Sequence, residues 1–140
     1  MNRLAFLALV LVLVGCSEKS GPPVVASNIV VTAPAPGMSM AAAYLDITNN
    51  SGTAIRITRV TSPDYESVEV HETTIEDGVA RMRPVPALDI ADGETVTFER
   101  GGMHLMLMRP AENPDIVTLG FYSGELLLLS VSAEFTSMTN

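Results

Sequence analysis

Apolar and polar positions alternate along most of the chain in short runs. Leu4 to Val14 is the exception, an unbroken apolar run of eleven residues. Beyond it, β-prone runs recur at Ile29–Thr32, Ala41–Thr48, Ile55–Thr61, Ser67–Thr73, Val79–Arg83, Thr95–Phe98, His104–Met108, Val117–Tyr122 and Leu126–Phe135. Turn residues separate them at Asn49-Asn50-Ser51-Gly52, Ser62-Pro63-Asp64, Asp77-Gly78, Asp92-Gly93, Gly101-Gly102 and Ser123-Gly124. Turn signals spaced roughly every 8–12 residues predict a β-sandwich or barrel. No helix of convincing length is predicted after Asn28. The 140 residues suit a single all-β domain.

The first run has a different meaning. Met1-Asn2-Arg3 supplies one positive charge ahead of it. The run suits the apolar core of a secretion signal and falls short of the roughly 20 residues of a spanning helix. Leu13-Val14-Gly15-Cys16 resembles a bacterial lipobox, with Cys16 as the lipidated first residue of the mature protein. The expected organisation is a lipoprotein signal at 1–15, a lipidated Cys and flexible tether at 16–27, and a folded domain at 28–138. The domain is then expected in the periplasm or cell envelope, touching a membrane only through acyl chains.

Composition narrows the functions. The chain has 8 Lys+Arg against 16 Asp+Glu, for a formal net charge of -8. Acidity argues against a nucleic-acid binder, which shows a basic face, and an aromatic content of 5% argues against a base-stacking platform. A single Cys excludes an internal disulfide, a Cys-rich zinc site and a thiolate iron–sulfur cluster. No Gly-x-Ser-x-Gly or His-Glu-x-x-His pattern is present, so an enzyme is not expected. Eight methionines and two histidines remain to be explained.

Alternation over Val68-Glu69-Val70-His71-Glu72 places both valines on the core side and His71 on the other. Asp77-Gly78 is a two-residue hairpin signal. That turn would set His71 opposite Pro84 and Thr73 opposite Met82, making His71 and Met82 diagonal neighbours on one face. In Met103-His104-Leu105-Met106-Leu107-Met108, alternation groups His104, Met106 and Met108 against Leu105 and Leu107. If the two strands approach, two imidazoles and two thioethers converge. Soft sulfur selects Cu(I). Zinc prefers thiolate, imidazole and carboxylate, and a blue-copper centre needs a Cys thiolate. On spacing alone two readings stand: a soft metal site, or surface histidines beside core methionines.

The spacing His71, ten residues, Met82, twenty-one residues, His104, one residue, Met106 resembles the His-x10-Met-x21-His-x-Met signature of the periplasmic copper chaperones of the PCu(A)C type. Ala43-Tyr44-Leu45-Asp46-Ile47-Thr48-Asn49, Gly78 to Val85 and Gly101 to Leu107 agree in style, so the resemblance runs from about Val31 to Phe135. Ile90-Ala91-Asp92-Gly93 stands where the family often has Ile-Pro-Ala-Gly, a change in a turn that touches no ligand.

The resemblance implies a cupredoxin-like Greek-key β-sandwich that binds Cu(I) through His71, Met82, His104 and Met106, with Cu(II) a second candidate ion. Met108, Met103, Met38 and Met40 are accessory candidates. It further implies a monomeric carrier whose partner is a cytochrome oxidase copper-binding subunit or another copper chaperone. A copper-buffering or resistance lipoprotein without a dedicated acceptor, and a metal-free sandwich acting as an interaction module, are the alternatives.

Overall fold

The structure is a computed structural model that describes residues 22–34, 37–111 and 114–136. Leu4 to Val14, Cys16 and Met138 lie outside the described residues. Eleven strands are present among the described residues: β1 (Val24–Thr32), β2 (Met40–Asn49), β3 (Ile55–Ile57), β4 (Arg59–Thr61), β5 (Tyr65–Glu76), β6 (Val79–Pro84), β7 (Leu88–Ile90), β8 (Thr95–Phe98), β9 (Met103–Pro110), β10 (Ile116–Ser123) and β11 (Leu126–Thr136). The described residues contain no helix, so the all-β expectation holds.

The main sheet runs β1-β11-β10-β4-β5-β9-β2-β8, and β1 also pairs with β2. That last pairing closes the path into a barrel- or sandwich-like ring. β1 runs antiparallel to β2 and parallel to β11. Closure hides the open N–H and C=O row that each of these edges would otherwise expose. Inside lie Val31, Leu45, Ile47, Leu105, Leu107, Val117, Leu119 and Phe121, none more than 1% exposed. Each such side chain stabilises the fold by about 1.5–3 kcal/mol relative to an exposed position.

β1 begins at Val24, four residues inside the segment expected to be tether. The reason is that Val24 is 4% exposed and pairs with Asn49 at the far end of β2. Where the register slips between Ser27 and Val30, Asn28 adopts a φ of 52°. Its Nδ2 donates to Asp46 Oδ2 at 2.6 Å, and with a second hydrogen bond from Thr97 this holds the Asp46 carboxyl below its usual range.

The run Ile55–Thr61, expected as one strand, is two. β3 pairs with β7 in a separate small sheet, while β4 joins β10 and β5. Ile57 and Val60 are both buried although three residues apart. A strand of period two cannot send both to one side, so the chain breaks at Thr58, whose N–H donates to Tyr122 O at 2.8 Å. β7 was not anticipated because three residues carry too little alternation to register.

Asn49, expected in a turn, ends β2 and is fully buried. Its Nδ2 donates to Thr53 O at 2.8 Å and to Ile90 O at 3.0 Å, and its Oδ1 accepts from Ser51 N–H at 3.0 Å. One side chain thereby ties the 50–53 loop to β7.

Candidate metal centre

The outer face of β6, β5, β9 and β2 carries the soft donors. β5 and β6 form the hairpin expected from Asp77-Gly78. Asp77 and Gly78 have φ values of 53° and 78°, the left-handed pair of a type I′ turn. The ladder sets His71 opposite Pro84 and Thr73 opposite Met82. β6 is exposed throughout, so the hairpin stands out as an arm. Arg81 and Arg83 both reach Glu76, at 3.1 and 3.0 Å, on the same exposed arm as Met82. Met82 is 51% exposed.

β9 lies on the other side of β5. Its register places His104 directly opposite His71 and Met106 opposite Glu69. Directly paired residues of an antiparallel ladder share a face, so His71, His104 and Met106 project together while Leu105 and Leu107 fill the core. Met106 and Met82 occupy the two diagonals flanking the histidine pair. The sequence placed His71 near Met82 and His104 near Met106; the β5–β9 pairing brings the two halves together.

Each of the two imidazoles, in its neutral form, has its tautomer set by one hydrogen-bond partner. Their centroids are 6.1 Å apart with planes at 72°. His104 is 6% exposed, and its Nδ1 lies 3.1 Å from Gly102 O. A carbonyl only accepts, so Nδ1 carries the proton and Nε2 keeps its lone pair. His71 Nε2 lies 2.8 Å from Glu69 Oε2. An ionised carboxylate likewise only accepts, which puts the proton on Nε2 and the lone pair on Nδ1. His71 Nδ1 is buried and has no hydrogen-bond partner. A buried acceptor without a donor costs about 1–3 kcal/mol, and a soft cation is a group able to satisfy it. Carboxylate and backbone carbonyl partners on the outer ring nitrogen are the usual supports of metal-binding histidines.

Among the described residues, no group of three or more His, Cys, Asp or Glu side chains could hold a metal ion. Any centre here therefore depends on thioether sulfur. The contact of Glu69 with His71 is a two-residue strand spacing, i to i+2, that alternation could have flagged. Met103 turns to the side opposite His104 and packs against the core, so it does not join the donors. Met108 stays on the outer face opposite Met40, and Met38 precedes them, 56% exposed. A cavity of about 420 Å³ opens beside Glu69, lined mainly by Ile57, Val60, Val68, Val85 and Leu88. Its walls hold no His or Met, so it lies outside the donor set.

The model of the family described as "Putative lipoprotein LpqE-like" matches residues 24–118. The solution structure of Cu(I)-DR1885 from Deinococcus radiodurans is 30% identical, with a TM-score of 0.64 over 86% of this chain and 82% of that one. Apo-DR1885 from the same organism is 26% identical, with a TM-score of 0.60 over 98% and 94%. The copper-bound PCuAC domain from PmoF2 is 22% identical, with a TM-score of 0.60 over 82% and 92%, a likeness of fold. No curated protein matches the chain.

Proposed function

The chain belongs to the LpqE-like family, of PCuAC type, and from that premise we propose that it is an extracytoplasmic Cu(I) carrier whose ligands are His71, Met82, His104 and Met106. The observation that carries this reading is the pairing of His71 with His104, ring centroids 6.1 Å apart, with His71 Nδ1 buried and without a hydrogen-bond partner. Cu(I) is soft, and neutral imidazole and thioether are its kind of donor. Thioethers form no disulfides, so such a site survives an oxidising compartment that would oxidise a cysteine pair. Cys16 serves as a lipid anchor and takes no part in the chemistry.

Exposure supports a route for handover. His104 is buried, whereas Met82 sits half-exposed on the arm. Met82 is then the ligand an acceptor displaces first, and copper leaves by stepwise ligand exchange. Neutral ligands release Cu(I) downhill to a thiolate-rich centre, such as the binuclear copper centre of a cytochrome oxidase subunit. The test is to mix the Cu(I)-loaded protein with an apo oxidase copper domain and follow the metal. Transfer supports the carrier reading with this acceptor; retention of copper by the loaded protein favours buffering without a dedicated acceptor.

Glu69 enters as the support of His71. Replacing it with alanine is expected to weaken Cu(I) binding about tenfold, the lower range for loss of an outer-shell partner. Glu69→Gln keeps an oxygen that accepts from Nε2–H and is expected to retain most of the affinity. Competition with a Cu(I) chelator measures both; equal affinity in wild type and Glu69→Ala removes the orienting role.

A further inference from the structure

The outer face of β2 and β9 carries thioethers that the four-ligand site does not use. β2 opens with Met40, two residues after Met38, and β9 carries Met106-Leu107-Met108. The ladder sets Met40 directly opposite Met108 and Ala42 opposite Met106. Ala41, Ala43, Leu105 and Leu107 are all buried, so Met40, Met106 and Met108 occupy the opposite, outward face. Directly opposed Cβ atoms stand about 4.5–5.5 Å apart, and diagonal neighbours about 7–8 Å. Arg109 N–H donates to Ser39 O at 3.3 Å, so the Met38–Met40 segment continues alongside β9.

Packing does not account for this face. Methionine is a core filler, yet Met38 and Met40 are 56% and 38% exposed. Two Met-x-Met segments are brought side by side, one from each strand. The charged neighbours at this end, Arg109 and Glu66, neutralise each other at 2.8 Å. What the patch presents is a group of neutral, polarisable sulfur donors on flexible stems.

We propose that Met38, Met40 and Met108 form a second, all-thioether Cu(I) site that loads the histidine centre. Three thioethers provide a soft trigonal donor set. Met106 lies diagonal to Met40 and belongs to the proposed centre, so it is the shared stepping point. Copper passes as Cu(I) throughout: one of the three thioethers departs as Met106 arrives, His104 and His71 then replace the other two, and Met82 completes the four-ligand set. No electron or proton is exchanged. The loading role rests on the carrier reading; the existence of the site does not.

The test is anaerobic titration of the full protein with Cu(I) held by a chromogenic chelator, with sulfur and nitrogen ligands counted by X-ray absorption. Two equivalents of different strength are expected. The His71→Ala/His104→Ala double variant should lose the tight one and keep a weaker, sulfur-only one. Met40→Leu/Met108→Leu conserves volume and should lose the weaker equivalent while keeping the tight, nitrogen-containing one. Met38→Ala alone should leave the tight equivalent unchanged. A single equivalent in the wild type, or a weaker equivalent that survives Met40→Leu/Met108→Leu, overturns the second site. A tight equivalent indifferent to both histidines, beside a methionine-dependent weaker one, overturns the carrier site and leaves the second site standing.

Discussion

Replacing His104 with alanine is expected to weaken Cu(I) binding by at least about a hundredfold. Loss of a partner that merely supports a ligand costs about 10–100-fold, and His104 is assigned as a ligand itself. The geometry makes it the most constrained of the four. It is 6% exposed, its Nδ1–H is bound to Gly102 O, and it stands directly opposite His71. Its removal also strips His71 of the opposing imidazole, leaving one nitrogen and two thioethers to hold the ion. Alanine fits the strand without breaking a backbone ladder bond, so a thermal midpoint near that of wild type should accompany the lost affinity. Competition with a strong Cu(I) chelator provides the measurement. An affinity within a few-fold of wild type removes His104 from the ligand set.

Asn49→Leu is expected to destabilise the fold by about 1–3 kcal/mol, the cost of leaving the buried Ile90 O without its donor. The substitution removes both donors to Thr53 O and Ile90 O and the acceptor for Ser51 N–H. Leucine is similar in size, so the loss is one of pairing and not of volume. The backbone of Asn49 still bonds to Glu94 O and Gly93 N–H, which localises the damage to the 50–53 loop and β7. Denaturant unfolding with an unchanged slope would report it as a shifted midpoint. Were Asn49 only an exposed turn residue, the change would stay within about 0.5 kcal/mol, and such a result would contradict the role described for it.

These two residues differ in how visible they were. His104 could be picked out because its neighbours alternate: Leu105 and Leu107 inward, Met106 and Met108 outward, a pattern contained within five consecutive residues. Asn49 could not. Asn-Asn-Ser-Gly is turn chemistry by composition, and only the arrival of Ile90 from β7 shows that its amide is buried. Thr58 is similar. Nothing local says that Ile57 and Val60 must enter the same core, because that demand comes from two different sheets.

The hairpin register was legible for a physical reason. Asp77-Gly78 accommodates two positive φ values, and a two-residue loop fixes every pairing along both strands. His71 beside Met82 follows from that turn alone. The resemblance to the PCu(A)C signature was legible too, since a fixed spacing is itself a sequence property, and the family comparison bears it out.

By itself, then, the sequence determined what depends on near neighbours: the all-β character, the inward and outward faces, the arm with its turn, and the two His/Met pairs. Tertiary structure decided which distant strands meet. Pairing β5 with β9 joins residues 33 positions apart, His71 and His104, and ring closure by β1 joins the two ends of the described fold. Those contacts are set by the burial of the whole core, which no short window contains. The imidazole partners are local in sequence, since Gly102 O and Glu69 Oε2 each stand two residues before the histidine they hold, but only the β5–β9 pairing sets the two imidazoles side by side.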